Sequence, residues 1–238
     1  MYQLSDKGTK VQQMFNQIAP RYDLLNRLLS LGIDKKWRKH AVKRLNIPEG
    51  GVVLDVATGT GDVALEIAHQ TNTSTKIYGI DFSHEMIVRG QQKIAASQYA
   101  SRIELNVAPC EAIPYPDNSF NGVTIAFGIR NVDDRLKGLL EMVRVLRPGG
   151  RLVILEFSTP TSTLFKTCYH WYFRRALPLI GGLFSSFNAY KYLPDSVLEF
   201  PSRDIFKDFM AQAGLIEISS TDLTGGIATI YQGDKPNK

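Results

Sequence analysis

The sequence predicts an α/β fold, a mostly parallel sheet with helices on both faces, and three observations carry that prediction. Strand-like and helical stretches alternate from residue 52 to residue 156, which is the rhythm of repeated βα units. Two of the strand-like runs, 122–127 and 151–156, are apolar almost throughout, as strands covered on both faces are. The first run, 52–56, passes through Ala57-Thr58-Gly59-Thr60-Gly61 directly into a helical pattern, and ligands of such sheets sit at these carboxyl ends.

Taken in order, residues 8–45 read as helical, with Leu24, Leu25, Leu28, Leu29 and Leu31 densely apolar. Pro48-Glu49-Gly50-Gly51 breaks that pattern. The expected strands are then 52–56, 76–81, 103–107, 122–127 and 151–156, and the helices between them 62–69, 83–97 and 136–146. Residues 157–200 depart from the rhythm: Phe165 through Phe200 contribute ten Phe, Tyr and Trp residues, with Arg174 and Arg175 among them. This reads as a helical insertion, either a cover for the sheet edge or a surface for a large apolar ligand or a membrane. A helix over 202–214 and a closing pair of strands, 216–223 and 226–232, follow. The 238 residues fit one domain, with 1–47 as an N-terminal helical cap and 157–200 as the insertion.

Composition excludes several classes. The polar first residues carry no signal-peptide pattern, so none is expected, and the longest nearly apolar stretch, 176–184, is far short of a membrane span. Cys110 and Cys168 form neither a disulfide framework nor a metal spacing, and no metal is expected. The net charge of +5 is uneven: Lys35, Lys36, Arg38, Lys39, Lys43 and Arg44 lie within one short run. That run is a solvated helix face or a contact for an anionic membrane surface; no nucleic-acid motif accompanies it.

Two cofactor classes use a glycine turn after the first strand. Gly59-Thr60-Gly61-Asp62-Val63-Ala64 fits the dinucleotide string, yet Asp62 sets a negative charge where a diphosphate needs the positive helix end. S-adenosyl-L-methionine has no phosphate and carries an ammonium group and a cationic sulfur, so Asp55 at the strand tip and Asp62 become assets. The string Val53-Leu54-Asp55-Val56-Ala57-Thr58-Gly59-Thr60-Gly61 matches the first methyltransferase motif, with Ala57 in place of its first glycine. Asp81 ends the second strand and suits a ribose, and Met86 follows at a position that in methyltransferases commonly packs on adenine, the alternative being a core contact. Pro109 and Cys110 occupy the segment that meets the adenine edge, Pro109 where an Asp or Asn is common, and Ala126 ends the fourth strand where Ser is frequent.

Longer segments resemble one family. Tyr22-Asp23-Leu24-Leu25-Asn26-Arg27-Leu28-Leu29-Ser30 with Trp37, and Arg144-Val145-Leu146-Arg147-Pro148-Gly149-Gly150-Arg151-Leu152 through Glu156-Phe157-Ser158, resemble the two signatures of the ubiquinone/menaquinone biosynthesis C-methyltransferases. Phe127-Gly128-Ile129-Arg130-Asn131-Val132 and Tyr192-Leu193-Pro194 with Phe200-Pro201 are similar to further family segments; Leu25, Asp34 and Arg147 depart from the usual Met, His and Lys.

The resemblance implies a class I, Rossmann-like S-adenosyl-L-methionine-dependent methyltransferase that methylates a ring carbon of a polyprenylated quinol. The expected acceptor is demethylmenaquinol, with the ubiquinol precursor, or a non-catalytic lipid-binding protein of the same fold, as alternatives. It implies cofactor contacts at Asp55, Ala57, Gly59, Thr60, Gly61, Asp81, Met86, Pro109, Cys110 and Ala126. Arg130 is expected to face the cleft and hold a developing oxyanion, with Asn131 orienting a water or the ring oxygen and Tyr22 relaying a proton; the alternative is that Arg130 pairs with Glu156. Expected partners are the prenylated quinol, a membrane surface and a second copy in a homodimer, and the expected location is the cytoplasm, peripheral at the inner membrane face.

Overall fold

The computed structural model describes residues 4–160 and 187–237. Five strands follow the predicted βα alternation: β1 (Val52–Val56), β2 (Lys76–Asp81), β3 (Ile103–Val107), β4 (Phe120–Ala126) and β5 (Leu146–Phe157). They enclose α4 (Asp62–Gln70), α5 (His84–Ala95) and α6 (Arg135–Val145). Before β1 stand α1 (Asp6–Ile18), α2 (Tyr22–Leu29) and α3 (Asp34–Arg44); after β5 come α7 (Phe187–Leu198), α8 (Arg203–Gln212), β6 (Ile216–Leu223) and β7 (Ala228–Asp234).

The seven strands form one sheet in the order β3-β2-β1-β4-β5-β7-β6. β1 pairs parallel with β2 and β4, β2 with β3, and β4 with β5. β7 is antiparallel to both β5 and β6. The strand order reverses between β1 and β4, which places a switch-point crevice at their carboxyl ends.

Side chains alternate across the sheet with the period of a strand. Val53, Ile77, Val153 and Leu155 face a cluster made with α3, α4 and α5. Leu54, Val56, Ile80, Leu152 and Ile154 face the other, made with α6 and α8. Both faces are covered, which explains the unbroken apolar runs.

Three elements differ from expectation. The stretch read as helical over 8–45 is three helices, because Pro20 sits in a 3-10 turn, Ala19–Arg21, and Leu31 and Gly32 take left-handed φ of 51° and 75°. β5 begins at Leu146 rather than 151: Leu146 pairs with Phe120, the chain bulges through Pro148 and Gly149, and pairing resumes at Arg151 with Gly122. β7 starts at Ala228 because a 3-10 turn, Thr224–Gly226, occupies the preceding residues. Of the insertion, α7 is described; Phe165, Cys168, Arg174, Arg175 and the 176–184 stretch lie outside the described residues.

Candidate active site

The turn after β1 is built from three left-handed residues, Ala57, Gly59 and Gly61, at φ 51°, 56° and 81°. Gly61 caps the N-terminus of α4. Glycine adopts this conformation freely, whereas Ala57 holds it at a cost of about 1 kcal/mol. Its Cβ has a counterpart across the crevice: a Cβ built on Gly128 would lie 2.6 Å from it, so a bare glycine at 128 makes room for alanine at 57.

Two buried acids hold the turn. Asp81 accepts from the Gly59 amide and the Ser83 amide, both at 2.9 Å. Burial pushes its carboxyl up to about 6, against the pull of those two amides. Asp55 accepts from Thr58 Oγ1 at 2.5 Å through one oxygen, and the Ala64 backbone amide of α4 also favours its ionised form. Burial lifts Asp55 to about 7.

A pocket with an empty volume of ≈ 650 Å³ opens beside the turn. Its lining joins Ala57, Gly59, Asp81, Met86, Cys110, Ala126, Asn131 and Tyr22 from the sequence-predicted set. Asp55, Thr60, Gly61 and Pro109 are not in that lining. Three carboxylates, Asp81, Glu111 and Asp133, border the pocket, with no Lys or Arg among the lining residues. Burial raises the pKa of Glu111. The Cys110 thiol and the Tyr22 phenol are likewise held above their ordinary values by burial, Tyr22 despite a hydrogen bond from Asn26 that acts the other way.

The N-terminal cap supplies the roof, which the sequence did not reveal. Phe15 on α1 and Phe82 after β2 pack edge to face at 6.1 Å, and Phe15 meets Tyr22 in the same way. Gln12 Nε2 donates to the Phe82 carbonyl at 2.5 Å, Ser83 Oγ to Asn16 Oδ1 at 2.6 Å, and the Ser5 amide to Asp133 Oδ2 at 2.9 Å. Amphipathic spacing alone gives no sign of such contacts; Phe82, adjoining Asp81, carried the one available hint.

Arg130 requires a correction. It sits in a 3-10 turn, Ile129–Asn131, after β4, and its guanidinium does not line the pocket. It is buried against Glu156, with Nη1 2.7 Å from Oε1. It also donates to the Phe127 carbonyl and to Ser196 Oγ on α7, and it lies 5.4 Å from the centre of the Phe157 ring. The strand-end position was anticipated; the buried acid opposite captures the cation and turns it away from the crevice. Asn131 faces the pocket, and its Oδ1 accepts from the Tyr192 hydroxyl at 2.9 Å, a site residue unanticipated except as part of a family segment.

Asp62 is also corrected as an asset for a cationic ligand. Arg38 and Lys93 hold it at 3.0 and 2.6 Å and, against burial, bring its pKa below the usual carboxylate range. Among the described residues no His, Cys, Asp and Glu cluster has the makings of a metal site.

A Rossmann-like sheet closed by an antiparallel β7, with a cation-free acidic pocket at the β1–β4 switch point, defines a class I methyltransferase fold. Solved structures share it: a SAM-dependent methyltransferase from Thermotoga maritima superposes with a TM-score of 0.66 at 22% identity, covering 94% of this chain and 99% of that one. One from Aquifex aeolicus gives 0.59 at 19% identity over 83% and 88%. The particular family is plain from sequence: residues 3–235 match the model of the ubiE/COQ5 methyltransferase family, and the chain belongs to it. It is 63% identical to the ubiquinone/menaquinone biosynthesis C-methyltransferase UbiE of Geotalea uraniireducens, over 99% of this chain and all of that one. Identity to the demethylmenaquinone methyltransferases of Deinococcus radiodurans and Desulfitobacterium hafniense is 48% and 41%, over 97% of this chain and 94% and 92% of theirs. The chain is therefore a C-methyltransferase, and its fold and family imply S-adenosyl-L-methionine as methyl donor.

Proposed function

We propose that the chain methylates a ring carbon of a polyprenylated quinol, with demethylmenaquinol as the acceptor and S-adenosyl-L-methionine bound in the pocket between β1, β2 and β4. The observation that carries this reading is the charge of the pocket. Three acids and no lining cation suit a ligand with an ammonium and a sulfonium and repel a diphosphate. Buried Asp55 adds a fourth acid, behind the turn. Relatives named demethylmenaquinone methyltransferase support the naphthoquinol, while those at 63% identity are named for both quinones.

The bound donor supplies an electrophilic methyl group. Gly59 and the Asp81 carboxylate would hold its ribose end, Met86 and Cys110 its base, and Ala57, Ala126 and Gly128 leave the backbone bare for close approach. A quinol carbon becomes nucleophilic as its ring hydroxyl loses its proton. Asn131 and Tyr22 face the pocket where that hydroxyl would lie; the raised pKa of Tyr22 keeps it a phenol that passes a proton rather than a phenolate that takes one outright. Arg130 acts from behind the wall. Its bonds to Phe127 and Glu156 fix the turn that presents Asn131.

Membrane contact belongs to the same proposal. Lys35, Lys36, Lys39 and Lys43 of α3 are exposed, whereas Arg38 is buried with Asp34 and Asp62 and Arg44 reaches Gln232. Leu31, 79% exposed, and Leu24, 49% exposed, stand near that cationic face in sequence. No described helix is long and apolar enough to cross a bilayer, so such contact would be peripheral.

The test is transfer of labelled methyl from the donor to reduced demethylmenaquinol and to the 2-polyprenyl-6-methoxybenzoquinol. Product from the naphthoquinol at the higher kcat/KM is expected. Transfer to neither quinol by protein that binds S-adenosylhomocysteine would sink the substrate assignment.

A further inference from the structure

We propose that Asp23 latches the N-terminal cap onto the glycine turn, and that this latch sets how long the cofactor stays bound. The proposal rests on the pocket being the S-adenosyl-L-methionine site. Asp23 lies on α2, next to Tyr22, and both of its oxygens are engaged. Thr60 Oγ1, between the two glycines of the turn, donates to Oδ1 at 2.5 Å. Lys93 Nζ, on α5, sits 2.6 Å from Oδ2. The same ammonium donates to Thr60 Oγ1 at 3.1 Å and to Asp62 Oδ1 at 2.6 Å. One carboxylate of the cap therefore closes a ring that includes the turn and the two helices flanking it.

Its position gives this contact its consequence. A Cβ on Gly59 would lie 3.5 Å from the Tyr22 ring, so the residue beside Asp23 covers the turn directly. Within the cap, α1 has little core to hold it: Gly8 and Val11 are its buried residues. The hydrogen bonds of α1 to Phe82, Ser83 and Asp133 sit at the pocket rim. Asp23 adds a charge-assisted contact to the turn itself, the stronger kind of hydrogen bond. A ligand under this roof leaves when the cap lifts, and lifting it breaks the Asp23 contacts. Lys93 would keep Asp62, and Arg38 would keep Asp34 and Asp62, so the sheet and its helices stay joined without Asp23. Asp23 is thus a positioning residue acting through Tyr22 and the turn.

The experiment compares wild type, Asp23→Ala, Lys93→Met, the double variant and Lys7→Ala, which removes an exposed α1 pair with Glu199 at 3.7 Å. Asp23→Ala should raise the dissociation rate of S-adenosylhomocysteine and the KM for the methyl donor about tenfold, with kcat within about threefold. Lys93→Met, which removes the ion pair and leaves the Thr60 bond, should raise both by less, the double variant should stay close to Asp23→Ala because the ion pair is lost in either single variant, and Lys7→Ala should resemble wild type. Dissociation rates within twofold of wild type for both Asp23→Ala and Lys93→Met, or fully additive effects, would overturn the latch. Hydrogen exchange of ligand-free protein supplies a readout independent of the cofactor. Amides of residues 6–29 should exchange about tenfold faster in Asp23→Ala, with the melting temperature close to wild type; unchanged exchange would likewise overturn it. Wild type that bound no S-adenosylhomocysteine would defeat the site assignment instead and leave the exchange comparison to decide the latch.

Discussion

Ala57 and Gly128 form a pair that neither position explains alone. Ala57 occupies a left-handed position that glycine would fill without strain, and Gly128 lacks the Cβ that would meet it at 2.6 Å. Gly128→Ala should therefore cost about 1–3 kcal/mol by overpacking and weaken S-adenosylhomocysteine binding. Adding Ala57→Gly should restore most of both losses, measured by urea unfolding and calorimetry. Failure of that rescue would mean the two residues do not share the space.

The acids nearby give a pH dependence with a definite sign. Asp55 and Asp81 carry raised values, about 7 and about 6, so the folded chain binds protons that the unfolded chain has released. Their contribution to stability is complete below the unfolded value of about 3.9 and is lost as pH rises through 6 to 7. Asp55→Asn should flatten that decline in urea midpoints between pH 5 and 8. Ligand binding runs the opposite way. Asp81 must be ionised to accept ribose hydroxyls, so affinity for S-adenosylhomocysteine should fall up to about tenfold for each pH unit below 6. A flat profile from pH 5 to 7 would remove Asp81 from the ligand. Arg130→Ala should cost about 3–5 kcal/mol, because it strands buried Glu156; a smaller loss for Arg130→Ala combined with Glu156→Gln would identify the pair as the cause.

The elements were readable where one physical cause governed them. Strands β1 and β4 came through because burial on both faces wrote apolar runs, β2 and β3 because they fell in the alternating rhythm, and α4 to α6 because their buried stripes recur with helical period. Elsewhere a local exception interrupted the pattern: Pro20 divides the first helices, and the Pro148-Gly149 bulge separates the start of β5 from its body. The turn residues of the site were readable because backbone conformation restricts them to small side chains. For Arg130 the alternative holds, the pairing with Glu156, because a strand end tells where a side chain begins and leaves open which neighbour it meets. Phe15, Gln12 and Asn16 were invisible because a roof over a pocket leaves no periodic trace. The cap also depends on α5 being properly started: Ser83 Oγ accepts from the Met86 amide at 3.3 Å and donates to Asn16. Ser83→Ala should cost about 1 kcal/mol of stability and should also speed hydrogen exchange in α1. A loss of stability without a change in α1 would separate the helix cap from the roof.

For the molecule as a whole, the exposed lysines of α3, with exposed Leu24 and Leu31 preceding them in sequence, predict salt-dependent binding to bilayers. Vesicles containing anionic lipid should retain the protein at low ionic strength and release it near 0.5 M salt, and replacing Lys35, Lys36, Lys39 and Lys43 by Glu should abolish retention. Retention unchanged by those replacements would assign the contact to another surface.

The antiparallel strand β7 has a consequence for how the protein is made. It lies between β5 and β6, although it is the last strand along the chain. Its partner β5 is buried in the finished sheet, and until β7 arrives that partner presents an open row of backbone donors and acceptors. Synthesis therefore passes through a stage in which most of the polypeptide exists but an adhesive edge has no occupant. A chain stopped at residue 227 would keep that edge for good, and the cell would meet it as an aggregating fragment rather than as a slightly shorter enzyme.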